Sequence, residues 1–356
     1  MSLPPACITA NEMLAPYTTM GLGGPARWFA RCTSVEEVRA SLLFAQGEGF
    51  PVQVFSGGSN IIFADEGFDG LVLNVALRSF REKESSDKAD LIVGAGEPWD
   101  RVVVRAAEKG WGGIECLSGI PGSTGGTPVQ NVGAYGQDVG ETLTSLRALD
   151  RRTLTEREFS RNECGFGYRE SRFKGPDAGL FIITEVRFRL TRNMQPEIRY
   201  PELARELDAR GVAGRLTPAD VRSAVLALRR KKSMVVDAAD ANSRSVGSFF
   251  TNPVVTKTFL EEKLKGLPIP AYPAPGGIKL SAAWLVEHAG FPKGFRAGGA
   301  GISEHHALAI VNRGGKTSDV MGLAGEIEEA VERKFGIRLA REPVVVRYKP
   351  GKEQTA

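Results

Sequence analysis

The 356-residue sequence predicts an α+β protein with more than one domain. Strand-like and helix-like segments alternate along the whole chain. Hydrophobic residues make up 42% of it, which is too many for a disordered protein and enough for more than one core. Glycine accounts for 42 of the 356 residues, about 12% against a usual ~7%, without the triplet period of collagen. The surplus glycine therefore points to specialised loops in a globular protein.

The first half of the chain predicts mostly strands, with two helices between them. Ser34 and Glu37 have the spacing of a capping box and begin a helix that ends at residues 47–49. A second helix is predicted over residues 102–109 and closes at Gly110. Runs of apolar and β-branched residues predict strands over 52–55, 71–75, 91–93, 180–183 and 186–190.

The second half predicts more helix. Thr217, Pro218 and Asp220 supply an N-cap, a first-turn proline and an acidic residue for a helix that runs to residues 229–232. Other helices are predicted from Thr258 to Gly266, over 281–289 and over 320–331, with strands over 308–311 and 344–346. Prolines and mixed charges interrupt the pattern at 195–215, so we place a domain boundary there, giving units 1–195 and 196–356.

Bulk composition excludes several classes of function. A net charge of +4 is too small to indicate nucleic-acid or anionic-membrane binding. No apolar run approaches the roughly 18 residues of a membrane span, and the first residues lack the pattern of a signal peptide. The cysteines are scattered without a CxxC pair and the three histidines lie late in the chain, at Cys7, Cys32, Cys116, Cys164, His288, His305 and His306. We therefore expect a cytoplasmic protein with no structural disulfide and no metal site.

Several common nucleotide and hydrolase motifs fail on inspection. Gly94 and Gly96 follow a strand, but Trp99 stands where a Rossmann fingerprint needs glycine. Lys316 lies in a Gly-Lys-Thr triplet, but Ile310 stands where a P-loop needs glycine. Neither HExxH nor GxSxG occurs in the sequence. An ordinary dinucleotide fold, ATP hydrolysis and the commonest zinc and serine hydrolases are not indicated.

Two glycine-rich loops remain, over residues 56–60 and 118–126. Small residues let backbone N–H groups approach an anion closely, and the serine and asparagine side chains add hydrogen-bond donors. Either loop alone is more simply explained as a tight turn. Nine glycines fall within residues 112–140, and two such loops in one unit favour a bound dinucleotide in a fold other than the Rossmann fold.

Five segments, in this order along the chain, resemble those of the UDP-N-acetylenolpyruvoylglucosamine reductase (MurB) family: residues 18–26, 56–60, 120–136, 166–174 and 247–253. The similarity extends over roughly residues 18–348. It implies that residues 1–195 form an FAD-binding domain of the vanillyl-alcohol-oxidase (PCMH) type, with two α/β lobes. It also implies that residues 196–356 form a C-terminal α/β substrate domain whose last strand returns to the active site.

The resemblance implies a reaction and its cofactors. NADPH reduces FAD, NADP leaves, and UDP-N-acetylglucosamine enolpyruvate is reduced to UDP-N-acetylmuramate for peptidoglycan precursor synthesis. The histidines lie after residue 287 and only Cys116 is near a glycine loop, so we expect the FAD to be non-covalent. The implied cofactor-binding residues are Ser56, Gly57, Gly58, Ser59, Asn60, Ser118, Gly119, Ile120, Pro121, Gly122, Ser123, Gly126, Asn131, Gly133 and Ala134.

Three residues match the family's catalytic positions. Hydride addition to the alkene spreads negative charge into the adjacent carboxylate, which needs cationic or hydrogen-bonding groups and then a proton donor. Arg169 matches the arginine that binds this carboxylate, and a guanidinium can do so through two hydrogen bonds. Ser248 matches the proton donor, and Glu342 matches the glutamate that partners Arg169. Without the motifs these residues would be predicted as a surface ion pair, a turn serine and a strand-edge acid.

Other residues match substrate contacts. Tyr200 and Lys232 match positions that hold the diphosphate, and Tyr200 indicates the branch with a tyrosine-bearing substrate loop. The remaining implied contacts are Asn252, Lys279 and His306. The sequence departs from the family pattern at His306, where some members carry glutamine. Arg230 and Lys231 are predicted to be solvated residues at a helix end.

Two alternatives stay open at the level of sequence. One is a different flavin oxidase of the same fold, which would share the FAD loops but not Ser248, Glu342 and Tyr200 in their motifs. The other is a non-catalytic nucleotide-sugar-binding protein, against which the intact catalytic residues argue. For the reductase we expect small-molecule substrates, no nucleic-acid or membrane partner, and a monomer.

Overall fold

The computed structural model describes residues 3–211 and 215–347, so parts of both predicted domains, at 1–2, 212–214 and 348–356, lie outside the described residues. The strands are β1 (Ile8–Met13), β2 (Pro25–Cys32), β3 (Val52–Phe55), β4 (Ile61–Phe63), β5 (Phe68–Val75), β6 (Phe80–Glu84), β7 (Lys88–Gly94), β8 (Trp111–Gly112), β9 (Gly133–Ala134), β10 (Gln137–Asp138), β11 (Leu143–Asp150), β12 (Glu156–Ser160), β13 (Phe181–Arg192), β14 (Val254–Val255), β15 (Ala271–Ala274), β16 (Gly277–Leu280), β17 (Arg296–Ala297), β18 (Ala300–Ile302), β19 (Ile310–Asn312) and β20 (Val344–Val346). The α-helices are α1 (Val35–Glu48), α2 (Trp99–Glu108), α3 (Pro201–Ala209), α4 (Pro218–Lys231), α5 (Lys257–Lys263), α6 (Ala282–His288) and α7 (Thr317–Phe335).

Two sheets organise the N-terminal part. Strands β1-β2-β5-β3 form a four-stranded sheet in which β5 runs parallel to β2 and β3. Strands β12-β11-β13-β7-β6 form an antiparallel sheet, extended by β8 alongside β13. Buried residues from both sheets and from α1 and α2 form one continuous hydrophobic core. The glycine loops 56–60 and 118–126 leave this framework directly after β3 and shortly after β8.

The C-terminal part has two small antiparallel sheets, β14-β16-β15 and β17-β18-β19, and α7 packs against β18, β19 and α6. It is joined to the N-terminal part by β20, which pairs in parallel with β4. A second link lies beside it, since the Asp65 carboxylate accepts the backbone N–H groups of Thr317 and Ser318 at 2.7 and 3.0 Å. The last strand therefore lies next to the loop 56–60, which precedes β4.

Helices α3 and α4 pack against the N-terminal part. Leu203, Val221 and Leu228 form a separate core with Cys116. Arg222 on α4 donates two hydrogen bonds, of 2.6 and 2.8 Å, to the carboxylate of Asp100 on α2. The division at residues 195/196 stays a prediction.

Local signals predicted most helix starts correctly. Both capping boxes, Ser34 with Glu37 and Thr217 with Asp220, are present. The start of α5 was assigned wrongly, because the hydroxyl of Thr256, and not Thr258, caps it by accepting the N–H of Phe259.

The strands predicted over 180–183 and 186–190 are wrong as separate elements, since β13 runs without a break from residue 181 to 192. Thr184 stays within it because its hydroxyl donates to the Arg147 carbonyl and to the Glu156 carboxylate. Thr184 and Glu185 therefore lie within one strand and do not mark a turn between two strands.

Candidate active site

The two glycine loops touch each other through their backbones. A Cβ atom on Gly57 would lie 2.4 Å from the Cα of Gly122, and one on Gly58 would lie 1.8 Å from the carbonyl oxygen of Tyr17. The Ser59 hydroxyl ties the loops further by donating to the Pro121 carbonyl at 3.0 Å. Glycine at 57 and 58 is thus required first by the close packing of protein backbone. This packing does not by itself show that the two glycines leave room for a ligand.

Other polar groups of these loops remain available to a ligand. The hydroxyl of Ser123 is buried and has no hydrogen-bond partner in the described part of the chain. It faces Gly126, where an added Cβ would meet only this oxygen, at 4.0 Å. Within residues 3–211 and 215–347, the N–H groups of Gly57, Gly58 and Ser59 donate no backbone hydrogen bond. Gly58 and Ser123 are buried, and buried polar groups normally find a partner, so this set fits the phosphate oxygens of a dinucleotide.

Several other predicted cofactor residues use their side chains inside the protein. The Ser56 hydroxyl donates to the Val75 carbonyl and the fully buried Ser118 hydroxyl to the Glu115 carbonyl, both at 2.6 Å. The Asn131 amide bridges the Gly167 carbonyl and the Gly140 N–H. These side chains support the loops, and only their backbone is left to contact a cofactor. Ile120, Gly119, Gly133 and Ala134 lie in the same loops or in the adjoining β9.

Arg169 is held at both ends of its guanidinium group. It sits in a turn closed by a hydrogen bond from the Gly167 N–H to the Glu170 carbonyl, with a left-handed φ of 56°. Its Nη2 donates to the Gly133 carbonyl at 2.6 Å, and its Nε lies 3.3 Å from Oε1 of Glu342. Gly133 and Glu342, which lie 36 and 173 positions from Arg169 in the sequence, thus orient its side chain.

Glu342 lies in a buried position between the two halves of the chain. Its backbone N–H donates to the Phe249 carbonyl at 2.9 Å, and its carbonyl accepts from the Asn60 amide at 3.2 Å. Burial raises the pKa of its carboxyl group, while Arg169, Lys174 and a hydrogen bond from Gln130 act in the opposite direction. The carboxylate is therefore poorly solvated and depends on these partners for its charge.

Ser248 lies on the segment that contacts Glu342. Phe249, the next residue, donates to the Leu308 carbonyl at 2.8 Å and accepts from Glu342. The Ser248 side chain is half-buried, and its hydroxyl has no hydrogen-bond partner among the described residues. The structure thus brings Arg169, Glu342 and the Ser248 segment together and leaves the serine hydroxyl free for a ligand.

One group of predicted substrate residues clusters around an aromatic pair. The rings of Tyr135 and Tyr200 meet edge to face, with centroids 5.5 Å apart. The Lys232 Nζ lies 6.0 Å from the centre of the Tyr135 ring and 2.6 Å from the Glu202 carboxylate. Tyr200 is 45% exposed, and burial, Glu202, Tyr272 and Tyr168 together raise the pKa of its phenol.

His306 has a defined tautomer. Its Nδ1 accepts the N–H of Leu308 at 3.0 Å, so a neutral ring carries its proton on Nε2. Burial, together with the charges of Lys232, Lys293 and Arg229, lowers the pKa of His306 to about 4. The imidazole is a neutral hydrogen-bond donor at physiological pH, as a glutamine amide would be.

Asn252 and Lys279 lie on another wall. A cavity of ≈ 810 Å³ is lined by Tyr168, Arg169, Asn252 and neighbouring residues. The Lys279 Nζ lies 4.6 Å from the centre of the Tyr168 ring, while the Asn252 Oδ1 accepts the N–H of Ala282 at 2.9 Å. Asn252 therefore has its amide N–H groups left to offer to a ligand.

The sequence reasoning missed three residues of this region. Gln130 and Tyr135 lie inside a motif that was recognised, but only its neighbours were assigned a role. Arg229 was given no role of its own, yet its Nε is buried without a partner among the described residues and burial lowers the pKa of its guanidinium group. Its position as the first of the basic run, four residues after the buried Val225, was the available signal.

The chain is similar in sequence to known protein families over both of its halves. Residues 239–346 match a family model described as UDP-N-acetylenolpyruvoylglucosamine reductase, C-terminal domain, and residues 26–154 match one described as FAD binding domain. A UDP-N-acetylenolpyruvoylglucosamine reductase of Thermobifida fusca is 47% identical over 350 residues, covering 94% of this chain and 97% of the relative. One from Mycobacterium tuberculosis is 46% identical over 351 residues, covering 94% of each chain.

A solved structure resembles the model along almost its full length. The UDP-N-acetylenolpyruvylglucosamine reductase (MurB) of Thermus caldophilus superimposes with a TM-score of 0.64 at 25% identity. The match covers 94% of this chain and 97% of that structure. Sequence and fold therefore agree over both halves of the chain.

Proposed function

Because the chain belongs to the UDP-N-acetylenolpyruvoylglucosamine reductase family, we propose that the residues around Arg169 divide the steps of that reduction among them. The predicted family, fold class and FAD-dependent oxidoreductase activity, with NADPH as reductant, are confirmed. The chain reduces UDP-N-acetylglucosamine enolpyruvate to UDP-N-acetylmuramate. The roles of individual residues are the proposal.

FAD, when bound, accepts hydride from NADPH and supplies it to the alkene of the substrate. The loops 56–60 and 118–126 would hold its diphosphate, an assignment supported by the unpartnered hydroxyl of Ser123 and the open side of Gly126. Cys116 is a poor candidate for covalent attachment, since it is buried and burial raises the pKa of its thiol to about 12. This supports non-covalent binding.

Arg169 binds the carboxylate of the enolpyruvyl group. Its hydrogen bond to the Gly133 carbonyl and its ion pair with Glu342 fix the guanidinium plane, and its remaining N–H groups are available to an anion. As the alkene is reduced, charge grows on this carboxylate, and a fixed cation in a partly buried site stabilises it. This held guanidinium, beside the Ser248 segment, is the observation that carries the proposal.

Ser248 donates the proton to the second carbon of the former double bond. A serine hydroxyl is a weak acid, so the site must stabilise its conjugate base or pass a proton through it. The lack of a hydrogen-bond partner for its hydroxyl among residues 3–211 and 215–347, and the attachment of its segment to Glu342, support this role. Glu342 balances the charge of Arg169 around the intermediate.

The substrate diphosphate binds where cations and neutral donors gather. Tyr200, Lys232 and His306 supply this region, supported by the Tyr135–Tyr200 contact and the charges around His306. Asn252 and Lys279 contact the substrate from the wall that carries Tyr168.

We also propose a cellular setting. The product is a peptidoglycan precursor, and the protein works in the cytoplasm as a monomer on small molecules, without a nucleic-acid or membrane partner. The four free cysteines are consistent with a reducing compartment. In the described part of the chain, no helix is long and apolar enough to cross a bilayer.

The test is turnover of UDP-N-acetylglucosamine enolpyruvate with NADPH. Under anaerobic conditions we expect NADPH to bleach the flavin absorbance promptly, and the enolpyruvyl substrate to restore it with formation of the lactyl ether. Failure of the substrate to reoxidise NADPH-reduced enzyme would refute the proposed roles. An oxidase of the same fold would show no prompt bleaching by NADPH.

A further inference from the structure

Gln130 connects the first glycine loop to the candidate catalytic group. Its Nε2 donates to Oε1 of Glu342 at 3.2 Å, and its Oε1 accepts from Nδ2 of Asn60 at 2.9 Å. Reversing the amide would set two donors against each other at Asn60 and two acceptors at Glu342, so both contacts select one orientation. The side chain is half-buried. Nothing in the reaction described above uses it.

Asn60 secures the same arrangement from the other side. Its amide donates to the backbone carbonyl of Glu342 at 3.2 Å as well as to Gln130. The Val344 N–H donates to the Asn60 carbonyl at 3.0 Å, which continues the pairing of β20 with β4. The position of the Glu342 backbone is thus set by Asn60 and Phe249, while the direction of its carboxylate is set by Gln130 and Arg169.

The charged groups that face the Glu342 carboxylate are few. Arg169 approaches to 3.3 Å, and Lys174, five residues further along the chain, adds positive charge at longer range. Arg341, the preceding residue, is directed to the carboxylate of Glu328 at 2.5 Å and 2.7 Å. Gln130 supplies the neutral donor, and the Phe249 and Asn60 segments contact only the backbone of Glu342. A carboxylate with one close cation in a buried site is sensitive to the loss of any donor.

We propose that Gln130 is a positioning residue that keeps the Glu342 carboxylate ionised and directed at Arg169 during reduction of the substrate. The Gln130 N–H stabilises the ionised form more than the protonated one, since a carboxylate oxygen is a stronger hydrogen-bond acceptor than the carbonyl oxygen of a carboxylic acid. Without it Glu342 takes up a proton at higher pH, and Arg169 loses its counter-charge. The inference rests on the proposed roles of Arg169 and Glu342.

The effect is specific to one half of the reaction. Glu342 faces Arg169, which binds the substrate carboxylate, so a Gln130 variant impairs reoxidation of the reduced enzyme by the enolpyruvyl substrate. Reduction of the flavin by NADPH does not use this carboxylate and continues at the wild-type rate. This separation distinguishes a positioning role from a general loss of structure or of cofactor.

The experiment compares FAD-loaded full-length wild type, Gln130→Met, Glu342→Gln and the double variant. The rate of single-turnover reoxidation by UDP-N-acetylglucosamine enolpyruvate is measured from pH 5 to pH 9. In Gln130→Met we expect the acidic limb of the profile to move to higher pH by about one unit, a roughly tenfold rate loss on that limb. In the Glu342→Gln background the same substitution should have no further effect.

A direct readout accompanies the kinetics. The Glu342 carboxyl is titrated by ¹³C NMR in glutamate-labelled holoenzyme, with the signal identified by its absence in Glu342→Gln. Its pKa should be higher in Gln130→Met than in wild type. Gln130→Glu, which keeps the size of the side chain, serves if Gln130→Met loses FAD, and should shift the same pKa upward because two carboxyl groups then share one site. Gln53→Met is the control, since the Gln53 amide donates to the Val54 carbonyl.

Different outcomes would overturn the role of Gln130 and the proposed role of Glu342. An unchanged Glu342 pKa in the Gln130 variant, or an equal rate loss with and without Glu342, overturns the role of Gln130 and leaves the proposed function intact. A Glu342→Gln variant with the wild-type reoxidation rate overturns the proposed role of Glu342 itself, and the inference falls with it.

Discussion

The backbone N–H of Glu342 donates a hydrogen bond of 2.9 Å to the carbonyl oxygen of Phe249. This contact joins the proposed proton donor, Ser248, to the proposed partner of Arg169 across 93 residues of chain. Because Phe249 also donates to Leu308, its position is fixed on both sides. The Ser248 hydroxyl is therefore presented by a backbone that does not depend on the serine side chain.

Ser248→Ala tests whether the Ser248 hydroxyl acts in the reaction without supporting the backbone around it. We expect the variant to fold and to reduce FAD with NADPH at the wild-type rate, because the hydroxyl has no hydrogen-bond partner among the described residues. Reduction of the enolpyruvyl substrate should be lost, since the proton donor is gone. Stopped-flow absorbance resolves the two half-reactions, and Ser86→Ala, on the exposed β6–β7 turn, is the control. Full survival of both half-reactions would remove the proton-donor assignment.

His306 should bind substrate as a neutral donor. Burial and three nearby cations lower the pKa of this imidazole to about 4, so substrate affinity should show no change near pH 6.5 that depends on His306. His306→Gln retains an N–H donor and should bind within a few-fold of wild type, whereas His306→Ala should bind about tenfold more weakly. Calorimetric titration with UDP-N-acetylmuramate measures this, with the exposed His305→Ala as control. Equal affinities of the Ala and wild-type proteins would exclude the contact.

Gly57→Ala should disrupt the pairing of the two glycine loops. The new Cβ would lie 2.4 Å from the Gly122 Cα, and backbone must move to relieve this overlap. We expect loss of bound FAD and a lower unfolding temperature, read from flavin absorbance and calorimetry. Gly47→Ala in α1, where a Cβ meets nothing within 4 Å, should keep its FAD and gain up to about 1 kcal/mol. Wild-type FAD content in Gly57→Ala would contradict the steric argument.

Asp65→Ala should weaken the junction between the two halves of the chain. Burial raises the pKa of Asp65, but hydrogen bonds from the first turn of α7 outweigh it and the net shift is downward. The carboxylate therefore stabilises the fold at pH above its unfolded pKa of about 4 and loses this effect as pH falls through the lower folded value. We expect a loss of about 1 kcal/mol at pH 7 that disappears in acid.

Urea unfolding of Asp65→Ala at neutral and acidic pH measures this difference. Asp69→Ala is the matched control, because its ion pair with Arg27 is solvent-exposed and contributes little. A difference in the free energy of unfolding between Asp65→Ala and wild type that stays constant down to pH 3 would argue against stabilisation by the hydrogen bonds from Thr317 and Ser318 to Asp65.

Much of the secondary structure follows from local signals. The Ser34–Glu37 capping box and the Thr217 N-cap formed as predicted because their hydrogen bonds span only three residues. β13 was misread as two strands because the hydroxyl of Thr184 finds its partners on β11 and β12, far along the chain. A pattern of neighbouring residues in the sequence does not indicate hydrogen-bond partners that lie on distant strands.

The sequence by itself determined the family and the two glycine loops, and it indicated Arg169, Ser248 and Glu342 as candidate catalytic residues, since these depend on motifs of adjacent residues. Only the tertiary structure decided which of these segments lie together. The contact of Gly57 with Gly122 shows that these glycines are required by backbone packing between the loops, whereas the loop sequences predicted them as residues that let backbone N–H groups approach an anion. The contact of Gln130 with Glu342 joins residues 212 positions apart. Both contacts arise from the pairing of distant segments, which is set by burial and hydrogen bonding in three dimensions and leaves no periodic trace in the sequence.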